Sequence, residues 1–361
     1  MDFALVSKFF DVLQIAPPSK LILIDAQTLA AAHVPPYPPN IAVLLTNVDS
    51  HELAWRVRSM LLTTYPEGHQ VFLVNESKKK AEIIKELAGN EFAVGFSIYV
   101  PPLEEGTSFE SFAEIVAHLR APNGCPWDRE QTHESLRKHL LEESYEAISA
   151  IDSGNFTDMR EEFGDLLLQI VLQSQIAREE AQFNINQVIQ GIHSKIVRRH
   201  PHVFGDLKLE GIDGVLENWE KLKEKERGEK KEAKGLLDGV PLALPALSQA
   251  QQYQDRAARV GFDWPEIEGV LDKVREELDE IKSAETDFEL ASEVGDLFFA
   301  LVNVARWKHI DAESALRSAN MKFKKRFAHV ERGARAQERE LSSLSLDEME
   351  AFWQEAKKKP G

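Results

Sequence analysis

Over residues 1–102 the apolar positions fall in short blocks separated by polar and proline-rich stretches. Leu21–Asp25, Ile41–Leu45 and Val71–Val74 are runs of branched residues with the length of buried strands. Helical stretches fall between them, near 50–64 and 77–88, and Ala93–Val100 reads as a last strand that Pro101-Pro102 ends. Pro35-Pro36 and Pro38-Pro39 mark a loop. The alternation predicts a small α/β domain. It contains neither a Gly-x-Gly-x-x-Gly nor a Gly-x-x-x-x-Gly-Lys phosphate loop, so it offers no cofactor signature.

From about residue 108 helical periodicities replace the strands. Leu140, Ala147, Ile148 and Ile151 form one apolar face, and Val274, Leu278 and Ile281 form another. Two strongly apolar stretches, Leu166–Leu172 and Leu297–Val304, predict helices buried on most sides in a bundle. Lys223–Gly235 is rich in Lys and Glu and reads as solvated; it leads through Gly239-Val240-Pro241 and Leu244-Pro245, which read as linker. The chain is therefore expected to be mainly α. An α/β segment at 1–102 precedes a helical unit at 108–225, a linker at 226–245 and a second helical unit at 246–357.

The two helical units read as copies. Glu143 and Glu146 correspond to Glu277 and Glu280; Glu162 and Asp165 correspond to Glu293 and Asp296 at an offset three residues shorter, which predicts a shorter loop in the second copy. Downstream, Lys195, Arg198 and Arg199 correspond to Lys322, Lys325 and Arg326, and Trp219 to Trp353. Upstream, Pro126-Trp127-Asp128 resembles Phe262-Asp263-Trp264-Pro265. A lone Glu-x-x-Glu on an acidic helix is usually a solvated face, but chance does not readily supply the same ordered set twice.

Each acid pair lies one turn apart on one helical face. Four acids converging from two helices suit a hard divalent cation bound by oxygen alone, with Mg²⁺ the usual occupant and Mn²⁺ a substitute. Basic groups on a third helix would neutralise phosphate, and an indole would cover a nucleobase face. The bland alternatives are a helix C-terminus for the basic runs and core packing for the Trp residues. No Glu-x-x-His accompanies the acids, against a di-iron carboxylate bundle, so His193, His200 and His202 read as structural or phosphate-facing. No Ser-His-Asp or Cys-His arrangement stands out.

A net charge of −17 disfavours binding to nucleic-acid polymers but not to a phosphorylated small molecule held through a metal. Cys125, the only cysteine, excludes an intrachain disulfide and a thiolate zinc site, and reads as a packing residue. With no signal peptide or membrane span legible, a cytoplasmic location is expected.

These motifs resemble those of the MazG nucleoside triphosphate pyrophosphohydrolases. The resemblance rests on Gly124-Cys125-Pro126-Trp127-Asp128-Arg129-Glu130-Gln131-Thr132, the two acid elements, Arg198-Arg199-His200-Pro201-His202-Val203-Phe204 and Val260-Gly261-Phe262-Asp263-Trp264, and it covers about 108–357. It implies two tandem all-α units, a homodimer whose helices complete each site, and Mg²⁺-dependent hydrolysis of NTP or dNTP to the monophosphate and pyrophosphate, in nucleotide-pool house-cleaning. It also implies Glu277, Glu280, Glu293 and Asp296 as metal ligands, with Lys273, Lys322, Lys325 and Arg326 on phosphates and Trp353 near the nucleotide. Glu276 is the spare carboxylate for activating water. Glu289 departs from the pattern, standing where some members carry Lys. The first unit keeps Glu143, Glu146, Glu162 and Asp165. Residues 20–102 are similar to the later part of a tetrapyrrole methylase-like domain without its S-adenosylmethionine-binding glycines, so no methyltransferase activity is expected. The competing reading is a non-catalytic nucleotide-binding regulatory scaffold.

Overall fold

The computed structural model describes residues 3–87, 96–212, 214–215, 218–219, 222 and 235–358. Residues 93–95 of the last expected strand and nearly all of the Lys/Glu-rich stretch lie outside them. The chain divides into two compact units, Met1–Gly205 and Asp206–Gly361. Residues 206–212, which the motif order assigns to the first helical unit, group with the second half. No helix among the described residues is long and apolar enough to cross a membrane.

The first unit begins with a five-stranded sheet in the order β1-β2-β5-β3-β4. Its strands are β1 (Leu21–Asp25), β2 (Ala42–Val48), β3 (Gln70–Val74), β4 (Lys79–Ile83) and β5 (Phe96–Val100). Only β1 and β2 run parallel; the other neighbours are antiparallel. Alternation along β2 sends Val43 and Leu45 into one core, with Leu29 of α2 (Ala26–Ala30) and Val57 and Leu61 of α3 (His51–Leu61). Ala42 and Leu44 join the opposite core, with Phe9, Phe10 and Leu13 of α1 (Phe3–Leu13). A strand buried on both faces explains why β2 reads as a continuous apolar run.

The helix expected near 77–88 is instead β4 followed by a single turn at Ile84–Glu86. The side chain of Asn75 accepts hydrogen bonds from the backbone N–H of Ser77 (3.0 Å) and Lys78 (2.8 Å). That Asx turn reverses the chain, and β4 then pairs with β3 along its whole length. The helix α1 was not anticipated. Its Val6, Phe9, Phe10 and Leu13 have helical spacing and are all buried.

The rest of the first unit is helical: α4 (Phe109–Arg120), α5 (Pro126–Glu130), α6 (Leu136–Ser153), α7 (Phe156–Glu179), α8 (Ile185–Arg199) and α9 (Pro201–Phe204). Val116, Leu136, Val171, Leu172 and Ile176 close a hydrophobic cluster between α4, α6 and α7. Arg120, at the end of α4, donates to Glu179 of α7 through Nε and Nη2, and to the backbone oxygens of Gln131 and Asp128. The turn that follows packs so tightly on α4 that a Cβ at Gly124 would collide with the carbonyl oxygens of His118 and Leu119. This clamp gives the Gly-Cys-Pro-Trp signature a structural job.

The second unit repeats the plan with α10 (Ala246–Arg259), α11 (Ile267–Ser283), α12 (Asp287–Trp307), α13 (Ala312–Ala336) and α14 (Leu346–Lys358). The three-residue offset between the copies does not come from a shorter loop. Helix α6 runs seven residues past Glu146, whereas α11 stops three past Glu280, and the connection itself is one residue longer in the second copy. The apolar helices are not buried on most sides either. Val171 and Leu172, like Ala300 and Val302, are buried, but Leu167, Ile170, Phe298 and Leu301 remain exposed. Leu140, Ile151 and Leu278 are exposed as well, so the faces read beside the acid pairs are only partly covered. Within the chain each apolar helix packs chiefly against two neighbours, α4 and α6 or α10 and α11, which cover only part of its circumference.

Candidate active site

In both units the acid pair of one helix meets an acid of the next. Oxygens of Glu143 and Glu146 on α6 and of Glu162 on α7 lie within 4.8 Å of one another, and so do those of Glu277 and Glu280 on α11 and Glu293 on α12. Asp165 and Asp296 stay outside these groups of three. Asp165 is still close enough to act electrostatically on Glu143 and Glu162. Burial and the neighbouring acids push the carboxyls of Glu143, Glu162 and Glu280 above their ordinary values. For Glu143 the neighbours are Asp165 and Glu146, and for Glu280 they are Glu277 and Glu293. When ionised, such acids repel one another, and a cation would relieve that repulsion.

The copies differ in how they hold the first acid. Glu277 is 2% exposed, whereas Glu143 is only half-buried. Lys273, one turn earlier on α11, bonds Glu277 Oε1 at 2.7 Å and Glu276 Oε1 at 2.8 Å. Those two bonds raise the ammonium pKa well above the ordinary range. Glu277 Oε2 is buried without a hydrogen-bond partner among the described residues. The first unit has His139 at the position of Lys273, and His139 pairs with Glu142 at 3.3 Å.

Beside Glu277 the second unit opens a cavity of about 340 Å³ whose lining includes Tyr253, Phe262, Trp264, Phe299, Lys273 and Asp296. Leu237, Ala257, Val270 and Ala300 join these four aromatic side chains in a mostly apolar wall, and Glu277 and Asp296 bring carboxylates to it. Asp263, Arg306 and Trp307 brace one side: Asp263 accepts from Arg306 Nη2 at 2.5 Å and from Trp307 Nε1 at 3.2 Å. Burial pushes the Asp263 carboxyl up, but these bonds outweigh it and hold the group below its usual range. In the first unit Val116, Leu136, Val171, Leu172 and Ile176 pack together, with Phe109 and Phe112 against them. The cavity was not legible in the sequence. Gln254 and Asn303, both buried and both lining it, belong to no motif that marks them.

The remaining expected residues lie elsewhere. Lys322, Lys325 and Arg326 sit on α13, and no hydrogen bond or ion pair among the described residues joins them to the acids of their own chain. Arg326 lies over the ring of Trp353 at 5.8 Å, and Phe323 packs on the same indole at 5.2 Å. Lys195 is exposed on α8, and Arg198 and Arg199 close that helix, where cations suit its dipole. Trp219 is half-buried. Glu289 completes a capping box at the start of α12: its carboxylate accepts from Thr286 N at 3.2 Å, and Thr286 Oγ1 accepts from Glu289 N at 3.2 Å. The acid at this position serves the helix end.

The sequence profile of the MazG nucleotide pyrophosphohydrolase domain matches the chain twice, over residues 131–204 and 266–331. The chain is 44% identical over 254 residues to the nucleoside triphosphate pyrophosphohydrolase/pyrophosphatase MazG of Thermotoga maritima, a match spanning 70% of this chain and 97% of that protein. It is 46% identical over 250 residues to a nucleoside triphosphate pyrophosphohydrolase of Escherichia coli, spanning 68% of this chain and 95% of that protein. It is also 40% identical over 362 residues to YabN, an uncharacterized protein of Bacillus subtilis, spanning 96% of this chain and 73% of that protein.

Proposed function

The chain belongs to the MazG nucleotide pyrophosphohydrolase family, and on that premise we propose that its second helical unit hydrolyses nucleoside triphosphates between the α and β phosphates. The observation that carries this assignment is the buried, half-satisfied Glu277 beside an aromatic cavity. The products are the nucleoside monophosphate and pyrophosphate.

The residues fit a divalent cation. Glu277, Glu280 and Glu293 offer only hard oxygen donors within reach of one another, and Glu277 Oε2 is a buried acceptor that a cation would satisfy. Asp296 lines the same cavity as Glu277. Mg²⁺ is the expected ion, with Mn²⁺ as substitute. When bound, it would polarise phosphate oxygens and lower the pKa of a coordinated water. Glu276, held by Lys273, accepts the proton of the attacking water, and Lys273 places a fixed positive charge at the margin of the cavity. As the water oxygen bonds to phosphorus, the bridging P–O bond breaks and pyrophosphate leaves.

Among the described residues no hydrogen bond or ion pair joins Lys322, Lys325, Arg326 or Trp353 to the acid cluster of their own chain, so we assign their phosphate and nucleotide contacts to a homodimer. Exposed Phe298 and Leu301 on α12 support a partner there. The first unit keeps its acids but has His139 where the second has Lys273, and its Glu143 is only half-buried, which favours cation binding without turnover, with Lys195, Arg198, Arg199 and Trp219 in supporting roles. Residues 1–102 act as a non-catalytic module. The aromatic cavity suits NTP and dNTP alike, in line with clearing aberrant nucleotides from a cytoplasmic pool.

The test is pyrophosphate release from a mixed nucleotide panel with Mg²⁺ or Mn²⁺ and with chelator. Release that requires the cation supports the proposal; no release with either ion refutes it.

A further inference from the structure

Gln254 lies on α10, the helix that supplies no acid to the site. It is 7% exposed, and its Nε2 donates to the backbone oxygen of Phe299 on α12 at 2.8 Å. A backbone oxygen can only accept, so this bond fixes which end of the carboxamide faces α12. The other end, Oε1, is buried with no hydrogen-bond partner among the described residues. A buried unpaired acceptor opposes folding, and an interior Gln with one idle oxygen calls for a reason.

The same cavity supplies one. Gln254 lines it together with Glu277 and Lys273. Asn303, 5% exposed and one turn past Phe299, also lines it. The Asn303 oxygen is taken by Arg306 Nε at 2.8 Å, which leaves the amide nitrogen as its remaining hydrogen-bonding group. An apolar cavity with four aromatic side chains in its lining thus carries one carboxamide acceptor and one carboxamide donor, next to the carboxylates that would hold the cation at the phosphate end of a nucleotide. A volume of about 340 Å³ is large enough for a base and part of its sugar. Stacking on aromatic walls tolerates any base, so discrimination must come from the polar groups.

We propose that Gln254 is a specificity-determining residue, its Oε1 accepting a hydrogen bond from an amino or ring N–H group on the edge of the substrate's nucleobase. The inference rests on reading the second unit as the nucleotide site. It adds that binding affinity and selectivity come partly from the base and not from the triphosphate alone.

The experiment measures kcat/KM of wild type, Gln254→Leu and Gln254→Met with CTP, UTP, ATP and ITP, and with abasic 2′-deoxyribose 5′-triphosphate as a substrate without a base. Circular dichroism and thermal melts verify that the variants fold, and the two apolar side chains give two independent chances of a folded protein. The expected result is a loss of about tenfold or more on base-bearing substrates, with the abasic triphosphate changed by about twofold or less. The CTP/UTP and ATP/ITP ratios should also move toward unity. An equal loss on base-bearing and abasic substrates would make Gln254 a helix-to-helix brace and overturn the inference, as would an unchanged profile. Should wild type bind nucleotides in calorimetry without releasing pyrophosphate, the hydrolytic reading fails by itself. The same comparison, made on affinities, then decides the role of Gln254. If wild type binds no nucleotide, both fall.

Discussion

Glu277 Oε1 lies 2.7 Å from Lys273 Nζ, one turn back along α11, while Glu277 Oε2 is buried with no hydrogen-bond partner among the described residues. The ammonium compensates half of the buried carboxylate and leaves the other half for a ligand. Lys273→Met should therefore destabilise the metal-free protein by about 1–3 kcal/mol, because it strands a buried charge from which only partial solvent access offers relief. Adding Mg²⁺ should recover much of that loss. Denaturant melts in chelator and in Mg²⁺ check it; a variant as stable as wild type in chelator would show that Lys273 is not the counterion.

The acid cluster predicts a pH effect whose sign is fixed by the direction of its shifts. Burial and the charges of Glu277 and Glu293 raise the Glu280 carboxyl above its ordinary 4.5. Between that value and the raised one the folded chain binds more protons than the unfolded chain, so this group costs stability as pH rises through the window. Tm in chelator should fall less steeply over that window in Glu280→Gln than in wild type, and saturating Mg²⁺ should abolish the difference. Parallel profiles with and without the substitution would contradict the coupling.

The opposite sign holds at the C-terminal end. Arg339 bonds Glu348, and with the Ser345 bonds it holds that carboxyl down to about 2. A lowered carboxyl contributes stability that is present above about 4.5 and lost as pH falls toward 2. Glu348→Gln should thus flatten the acid limb of the Tm profile while leaving turnover at neutral pH unchanged.

Glu289 offers a test of what its departure from the family pattern does. Glu289→Lys removes one half of the capping box and sets a cation against the positive end of α12, which should cost about 1 kcal/mol. A thermal melt reads this directly, and a stabilised variant would refute the capping role.

Much of the site was legible because helical spacing alone puts Glu143 with Glu146 and Glu277 with Glu280 on common faces, and the repeat pointed to the partner helices. Spacing does not carry depth, however. Glu277 and Glu280 look equivalent in the chain, yet one is buried against Lys273 and the other is exposed. Gln254 was invisible for the same reason: its helix is dense in Gln and Arg, and composition does not show which of them is buried and bonded to Phe299. In the N-terminal domain β2 was legible from its apolar run. The charged composition of Lys79–Ile83 suits a helix as well as an edge strand, and the Asn75 turn settled it.

We assign turnover to the second unit. The most direct test is cation-dependent pyrophosphate release from wild type, Glu143→Gln and Glu277→Gln with the same nucleotide panel. The expected result is a loss of about a hundredfold or more for Glu277→Gln, with Glu143→Gln within about threefold of wild type. Full activity in Glu277→Gln, or its loss in Glu143→Gln alone, would contradict the assignment.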